Sequence, residues 1–322
     1  IALTDTFLDA LYRDSYLQSV QSQFTHQQLL DVAYEQLIGT MAAVMVKANR
    51  SFFREVHDIT LVASQSTYTI PKYAMWNKLH LAHLVDANGA IAPLRRRNPA
   101  EDVFYAETTS GMPYAIRLHD KQIEIRPSPS SGDITAWPTL RTYIYRRPGR
   151  LVRSTDDGSG NNSARAARVS SIATPTVTYT TLMPSDFTAS SEHDFYEFDA
   201  PHLRVATSAD AATAPSTSSQ TFSAANVALL AAGDYVCLND ETCFLPIPDE
   251  MVKHLKTLTI KSLANTQADR DAYKACLEML AEDMKTMFPV AADSMDENPQ
   301  VQTLMQSPFM NAMRRQRNMV RS

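Results

Sequence analysis

The sequence predicts an α+β fold: a helical core, an antiparallel β-strand domain, an inserted β-rich subdomain and an extended C-terminal arm. Two observations support this prediction. Apolar residues recur at helical spacing near both ends of the chain, which predicts an N-terminal helix and a C-terminal helical hairpin. Between them, residues 66–152 form short alternating segments separated by proline and glycine, a pattern typical of β-strands joined by turns.

The first part of the chain contains two predicted helices. Residues 4–20 can form a short helix, and a second helix begins after Thr25. Thr25 and Gln28 have the spacing of a capping box, in which each side chain satisfies a free backbone amide of the first turn. We expect this helix to end near Asn49 and to bury the apolar residues that follow its cap at helical spacing: Leu29, Leu30, Ala33, Leu37, Met41 and Met45, with Ile38 and Val44.

Short strands are predicted between residues 66 and 152. Asn88-Gly89 supplies the positive φ angles of a tight turn, so strands are expected on both sides of it, within residues 78–94. Residues 114–126 alternate on both sides of Asp120-Lys121 and predict a hairpin, and residues 139–145 predict a further strand. The prolines of this region lie at strand ends, where a missing amide donor does least harm.

Composition changes at residue 154, and from there to residue 245 the chain is rich in Ser, Thr, Ala and Asp. We expect an inserted β-rich subdomain here, with strands near residues 177–179, 195–198 and 202–205. The predicted organisation has four parts, which are residues 1–153, the insert at 154–245, a helical hairpin at 246–290 that completes the core, and an arm at 291–322.

The C-terminal hairpin is predicted from two periodic segments. Residues 246–250 place proline and two acids at a helix start, where free amides and the positive end of the helix dipole favour them. Helices are expected at 249–264 and 268–287, with a break near Asn265-Thr266 and an end at Phe288-Pro289. The second helix should bury one face, which is formed by Tyr273, Leu277, Leu280, Met284 and Met287 beside Cys276.

The segment after Pro299 is rich in methionine and glutamine and ends with basic residues. Aromatic and methionine anchors beside arginine are typical of a docking peptide. We therefore interpret it as an arm that orders on a partner, and a merely disordered tail is the alternative. Its candidate contact residues are Pro308, Phe309, Met310, Met313, Arg314, Arg315, Arg317 and Arg321.

Composition argues against several classes of protein. The chain has 322 residues, a net charge of -5 and a pI of about 5.9, whereas a general nucleic-acid coating protein should be basic. Three cysteines give no disulfide framework and favour a reducing compartment. We recognise no run of 18 apolar residues and no secretion signal, and we expect no membrane contact.

We recognise no catalytic or cofactor motif and expect neither an enzyme nor a cofactor. No serine lies in the Gly-x-Ser-x-Gly pattern of a strained nucleophile, and no Gly-rich phosphate loop occurs. His80 and His83 should point to opposite faces of one strand, and Cys237 and Cys243 have no second pair, so no metal site is expected. We interpret His193-Asp194 as a loop pair, the histidines as partly exposed and the cysteines as buried.

Arginines of the β-strand region are candidate contact residues. They form the run Arg95-Arg96-Arg97 and a looser cluster that includes Arg146 and Arg147. Such clusters can contact phosphate or an acidic partner. We favour a solvated loop or an intersubunit salt-bridge edge, in which case the same residues are candidates for contacts between subunits or with a tail.

The order of these motifs resembles the head-to-tail connector, or adaptor, proteins of tailed bacteriophages, which form the ring beneath the portal. The similarity covers residues 26–152 and 245–290. After the amphipathic helix it is carried, in order, by Phe52-Phe53, Tyr68-Thr69-Ile70-Pro71, the turn at Asn88-Gly89, Gly111-Met112-Pro113-Tyr114, the segment from Ile123 to Pro129, the segment from Tyr143 to Leu151, and the segment from Leu245 to Glu250.

The resemblance implies a structural virion protein whose identical subunits form a closed, dodecameric ring. That ring would join the portal protein ring to tail or nozzle proteins in the phage neck, after assembly in the host cytoplasm. Double-stranded DNA would pass transiently through its lumen, and a mildly acidic chain suits a conduit that does not hold DNA tightly. The helices would wall the ring, the arm would reach the portal, and loops and insert would face the tail.

The sequence is also compatible with two other functions. One is a portal-binding plug or tail nozzle piece, which differs only in its place in the stack. The other is a carbohydrate-binding or hydrolytic tail component that uses residues 154–245, where the available aromatic side chains are Tyr179, Phe187, Phe195, Tyr196, Phe198 and Phe222.

Overall fold

The protein has a mixed α+β fold with mainly antiparallel sheets, as predicted. It divides into two compact units, one formed by residues 1–50 and 247–322 and the other by residues 51–246. The four-part organisation predicted from the sequence stays a prediction. The computed structural model describes residues 3–14, 23–48, 53–96, 110–119, 121–154, 164–180, 184, 186–188, 191–198, 204–212 and 218–293.

The described helices and strands are numbered along the chain. The helices are α1 (Thr4–Tyr12), α2 (His26–Gln36), α3 (Ala42–Ala48), α4 (Ser131–Ala136), α5 (Ala224–Val227), α6 (Asp249–Thr266) and α7 (Arg270–Asp293), with a π-helical turn at Leu37–Met41 between α2 and α3. The strands are β1 (Arg54–Thr60), β2 (Thr67–Thr69), β3 (Ala74–Val85), β4 (Ile91–Pro93), β5 (Arg95–Arg96), β6 (Ala115–His119), β7 (Gln122–Arg126), β8 (Thr139–Arg146), β9 (Arg150–Leu151), β10 (Ala166–Ala173), β11 (Thr176–Tyr179), β12 (Glu192–Tyr196), β13 (Arg204–Asp210), β14 (Ser219–Thr221), β15 (Tyr235–Leu238) and β16 (Glu241–Thr242).

The capping box predicted at the start of α2 is confirmed. The Gln28 amide donates to the Thr25 hydroxyl at 3.2 Å, and the Thr25 amide donates to the Gln28 side-chain oxygen at 2.8 Å. The helical path then continues through the π-helical turn and α3. Of the apolar positions predicted on this helix, Ile38 and Val44 are only half-buried. The others are core residues, with exposures of 1% or less: Leu29, Leu30, Ala33, Leu37, Met41 and Met45.

The stretch His26–Val46 is long and apolar enough, by length and composition, to cross a membrane. It is the only such stretch among the residues that the structure describes. Core helices of soluble proteins pass the same test, and this stretch buries its apolar side chains inside the first unit. The expectation of no membrane contact therefore stays a prediction.

The two C-terminal helices differ from the sequence prediction at one end. Helix α6 ends at Thr266, as expected, but α7 continues to Asp293, so the prediction that Phe288-Pro289 ends it is wrong. Proline fits a helical φ but removes the amide donor to the carbonyl four residues earlier, so Pro289 weakens α7 near its end without ending it. On α7, Cys276 and Leu280 are buried, whereas Leu277, predicted on the same face, is 40% exposed.

In the second unit, β1–β8 form a sandwich of two four-stranded sheets. The strand orders are β1-β8-β3-β4 and β2-β7-β6-β5. Leu84 and Leu140 of the first sheet and Ile116, Ile123 and Ile125 of the second belong to one buried cluster. The two inner faces therefore share a single core.

The turn predicted at Asn88-Gly89 is present, but of these two residues only Gly89 has the positive φ that was expected of both. Gly89 has a φ of 85°, and the Asp86 carboxylate accepts the amides of Asn88 at 2.8 Å and Ala90 at 2.6 Å. The hairpin predicted for residues 114–126 is the antiparallel pair β6–β7. These local signals fix which residues point into the sandwich.

Strands β10–β15 form a small closed barrel. Their order is β13-β12-β15-β10-β11-β14, and an antiparallel bridge between Ala211 and Phe222 joins the two outermost strands. The Ala212 amide donates to the Thr221 carbonyl at 2.7 Å across the same seam. A buried cluster fills the interior, with Val169, Val177, Tyr179, Phe187, Phe195, Phe222 and Val236 among its members. Closure removes the free edges that an open sheet would expose.

Candidate functional site

The chain leaves the sandwich for the barrel and returns from it at the same place, which we call the junction. Strands β9 and β16 run parallel there, with Arg150 beside Glu241. The Arg150 amide donates to the Asp240 carbonyl at 2.7 Å. A Cβ on Gly149 would lie 3.1 Å from the Asp240 carbonyl oxygen, so a larger residue would push this close approach apart.

A partly buried network of charged side chains lies across the junction, and Asp194 is at its buried centre. The Arg146 guanidinium lies 3.2 Å from Glu55, 3.3 Å from Asp194 and 3.4 Å from Asp240. Arg204 lies 2.7 Å from Asp194 and 3.3 Å from Glu55. Asp194 is fully buried, and two arginines are shared among three carboxylates. Because these residues come from both the sandwich and the barrel, the network joins the two bodies.

Tyr73 covers the arginines of this network. Its ring centre lies 4.8 Å from the Arg146 guanidinium and 5.9 Å from that of Arg204. Burial, together with the adjacent Glu55, raises the pKa of Tyr73 to about 12. Burial also raises the pKa of Glu55, although Arg146 acts in the opposite direction. Each carboxylate of the network has an arginine partner, and the chemistry of these side chains is that of a structural contact.

A second buried ion pair supports the same junction. Arg165, just before β10, lies 2.7 Å from Glu241 and 2.7 Å from Asp186. Burial raises the pKa of Glu241, and Arg165 partly offsets that effect. The hydroxyl of Tyr196 donates to the Glu241 carbonyl oxygen at 3.0 Å. The chain segment that returns from the barrel is thus held by side chains of the barrel itself.

The structure separates the arginines that the sequence grouped together. Arg146 is partly buried inside the network, whereas its neighbour Arg147 is exposed. Arg95 and Arg96 are exposed on β5. Arg97 and the candidate contact residues of the predicted arm, from Pro308 to Arg321, lie outside the described residues. Contacts of these arginines and of the arm with other subunits or with a tail stay predictions.

Three arginines of the second sandwich sheet, Arg95, Arg117 and Arg126, lie on one face, which we call the basic face. Arg96 pairs with the core residue Ile116 and therefore lies on the other side of the sheet. Arg95 pairs with Ala115 across β5–β6, and Ala115 pairs with Arg126 across β6–β7. Glu124, opposite Arg117, is shared between Arg126 at 2.5 Å and Arg117 at 3.6 Å. Sequence reasoning missed the last two arginines, although the alternation of the predicted hairpin already places residues 117, 124 and 126 on one face.

A row of apolar side chains crosses the outer face of the other sandwich sheet. Val56 and Leu81 both pair with Tyr143, and they are 49% and 48% exposed. The Arg54 guanidinium lies 5.4 Å from the centre of the Tyr143 ring. A contiguous exposed apolar row is typical of a contact surface.

Among the residues that the structure describes, no group of three His, Cys, Asp or Glu side chains is arranged to hold a metal ion. The three cysteines are buried and free, as predicted. His83, expected to be partly exposed, is buried, and its ring centre lies 5.2 Å from that of Tyr143. The expectation failed because His83 lies on a central strand, flanked by β8 and β4.

The interpretation of His193-Asp194 as a loop pair is wrong, because both residues are fully buried on β12. His193 points into the barrel, where its ring centre lies 4.7 Å from that of Phe187 and 5.2 Å from that of Phe222. Asp194 points the other way, into the junction network. A strand that is covered on both faces hides polar residues that alternation alone would place outside.

Burial lowers the pKa of His193 from 6.5 to about 4. As the pH falls below 6.5 the unfolded chain binds a proton that the folded barrel refuses, so stability should fall by up to about 3 kcal/mol by pH 4. Urea unfolding of wild type and His193→Gln between pH 8 and pH 4 tests this. The free energy of unfolding of the variant should depend less on pH, because it lacks the part of that dependence that His193 causes. At pH 8 the protonation of His193 should contribute nothing to the difference between the two proteins. Parallel profiles for the two proteins would contradict it.

The aromatic side chains of the insert mostly build its core. Of the six that could form a sugar-binding platform, five are buried, and Phe198 is 42% exposed. The Arg168 guanidinium lies 5.1 Å from the centre of the Phe198 ring. The described part of the insert therefore offers a single exposed aromatic face, which does not favour a carbohydrate site.

Comparison with models of known protein families gives a match to a phage family. Residues 11–167 match the family model described as SU10 adaptor protein, a phage adaptor family. The matched range begins at the end of α1, contains α2, α3 and the sandwich, and ends at the start of the barrel, in β10. No curated protein matches the chain. The match is consistent with a structural adaptor protein of a phage virion.

Proposed function

We propose that this chain is a head-to-tail adaptor whose copies form a closed ring, dodecameric by resemblance, between the portal and the tail of a phage. The observation that carries the proposal is the adaptor-family match over α2, α3 and the sandwich. In this proposal the helical unit walls the ring, the barrel faces tail or nozzle proteins, and DNA passes through the lumen without being held.

The junction supports a mechanical role. A ring that transmits load between two assemblies needs subunits whose parts do not move separately. Arg146 and Arg204 fasten the barrel to the sandwich through carboxylates of both bodies, at distances between 2.7 and 3.4 Å. Charged groups that are buried and fully partnered fix one arrangement, because separating them would leave charges without partners.

The proposed docking arm supplies the contact with the portal. Residues 308–321 combine Phe309, Met310 and Met313 with four arginines, and we propose that they order on the portal ring. Such a segment buries its apolar anchors on the partner, which offsets the entropy lost when it becomes ordered.

The experiment that tests this function mixes the purified chain with portal rings and images the product by negative stain. Stacked rings are expected from the full chain, and separate particles from a variant that ends at residue 299. A matched control carries Arg13→Ala, which removes an exposed charge outside the arm and should still form stacked rings. Two unconnected species with the full chain would contradict the proposal.

A further inference from the structure

Strand β1 has a free edge. It is the outermost strand of the first sandwich sheet and pairs with β8 alone. The Arg146 amide donates to the Phe53 carbonyl at 2.7 Å, and the Leu61 amide donates to the Pro138 carbonyl at 2.8 Å. Because the direction of hydrogen bonding alternates along an antiparallel strand, the odd-numbered residues between them face β8. The backbone groups of the even-numbered residues point away from the sheet, and these residues are Arg54, Val56, Asp58 and Thr60.

These outward backbone groups have no partner in the part of the chain that the structure describes. The amides and carbonyls of residues 54, 56, 58 and 60 form no hydrogen bond with another described segment. No residue of β1 is buried, and the four even-numbered residues are all exposed. A seven-residue strand with an open edge is a template for one further strand.

The other edges of the second unit are short or closed. Strand β4, at the opposite edge of the same sheet, has three residues and includes Pro93, which has no amide to donate. The edge strands of the second sheet, β2 and β5, have three and two residues. The barrel is closed by its bridge between Ala211 and Phe222. Among the described strands, β1 therefore offers the longest open edge.

The charged side chains of β1 do not protect this edge. Edge strands often carry charges that repel a further strand. Here the Asp58 carboxylate accepts hydrogen bonds from the Arg141 guanidinium at 2.8 and 2.7 Å, and the Arg54 guanidinium lies 5.4 Å from the centre of the Tyr143 ring. Both charges are thus engaged by side chains of β8. Val56 lies between them and is 49% exposed, so an uncharged strand suits this edge.

The chain contains an uncharged segment of matching length. Residues 300–307 lie between Pro299 and Pro308, outside the described residues, and include no charged side chain. Prolines are tolerated at the ends of a strand. Val301, Thr303 and Met305 take alternate positions and would share one face of a strand. The eight residues suffice to pair along all seven of β1.

We propose that residues 300–307 of one copy add an antiparallel strand to β1 of the next copy, with Met305 opposite Val56. The inference rests on the proposed ring and names a contact between its subunits. In this register Met305 extends the apolar row that Val56 forms with Tyr143 and Leu81. Each copy offers one edge and donates one strand, so the contact is head-to-tail and can repeat until the ring closes. Residues 308–321 stay available for the portal.

Cysteine cross-linking in the full chain tests this register. Val56→Cys and Met305→Cys are made in separate chains, which are mixed, assembled on portal rings and oxidised. A covalent dimer is expected, because directly opposed residues of paired strands bring their Cβ atoms within reach of a disulfide. Leu304→Cys is the matched control and should give little dimer, because its side chain should point to the other face. The three native cysteines are buried and should not react.

Hydrogen exchange of residues 54–60 gives a readout without added cysteines. Assembly of the wild-type chain should slow this exchange, because the added strand bonds the outward amides. Thr303→Pro should remove the added protection and weaken association in sedimentation velocity by about tenfold or more, because proline removes a strand hydrogen bond. Asp296→Pro places a proline outside the donated segment and should behave like wild type. Both substitutions lie after the end of α7, and circular dichroism should be unchanged.

The possible results separate this contact from the proposed function. If rings form but the mixed chains give no covalent dimer, the subunit contact lies elsewhere and the ring itself stands. A disulfide that forms only within a chain carrying both Val56→Cys and Met305→Cys would show that the segment pairs with its own sandwich. Full protection of residues 54–60 in the Thr303→Pro assembly would assign the edge to a strand of another protein. Failure of the wild-type chain to join portal rings would instead reject the proposed function.

Discussion

Replacing Arg146 with alanine should destabilise the 51–246 unit by about 3 kcal/mol. The change removes the cation that lies within 3.4 Å of three carboxylates. Asp194 is fully buried and keeps Arg204 at 2.7 Å, so the cost should lie at the lower end of what breaking a buried ion pair causes. Few other single substitutions of charged residues in this protein should lower the free energy of unfolding by as much.

Urea unfolding followed by tryptophan fluorescence measures this change, because both tryptophans, Trp76 and Trp137, belong to the sandwich region. Arg147→Ala is the matched control. It removes the same side chain one residue later, at an exposed position, and should change the free energy of unfolding by no more than about 0.5 kcal/mol. Equal losses from the two substitutions would show that the network adds no stability.

A second large effect is expected inside the barrel, where Phe195→Ala should cost about 3–5 kcal/mol. The Phe195 ring is fully buried, and its centre lies 5.0 Å from that of Phe222 in an edge-to-face contact. Removing it leaves a cavity between strands that closure holds at fixed positions, so the surrounding side chains can collapse only in part.

Hydrogen exchange of the barrel amides measures this loss without relying on the sandwich. The matched control is Phe198→Ala, three residues later, where the ring is 42% exposed and rests beside Arg168. That change should cost less than about 1 kcal/mol, the scale of an exposed cation–π contact. If Phe198→Ala opened the barrel as much as Phe195→Ala, the described core would be incorrect.

Local features of the fold could be predicted because a few neighbouring residues determine them. Thr25 and Gln28 cap their own helix, and Asn88-Gly89 forms its own turn. Closure of the barrel was not predicted, because it depends on the bridge between Ala211 and Phe222 at opposite ends of the strand order. The continuation of α7 past Pro289 was missed because proline weakens a helix without always ending it.

The candidate site was harder to predict than the fold. Arg146 and Arg147 are identical neighbours in the sequence, and only the position of β8 places the first in the network and the second in solvent. Asp194 is buried because β12 is covered on both faces, and the sequence pattern alone does not predict that. By contrast, the grouping of Arg117 with Arg126 follows from the hairpin that the sequence did predict.

The side-by-side strands at the junction have a consequence for evolution. Arg150 and Glu241 are register partners, so the two ends of the intervening segment lie about 5 Å apart. A genome could therefore exchange this segment for an unrelated module by recombination, and the sandwich would need only a short connection in its place. Glu55 and Arg146 would then face water, where they could pair with each other or with whatever module arrived. Related proteins could in this way change what this part of the chain contacts while keeping the same sandwich.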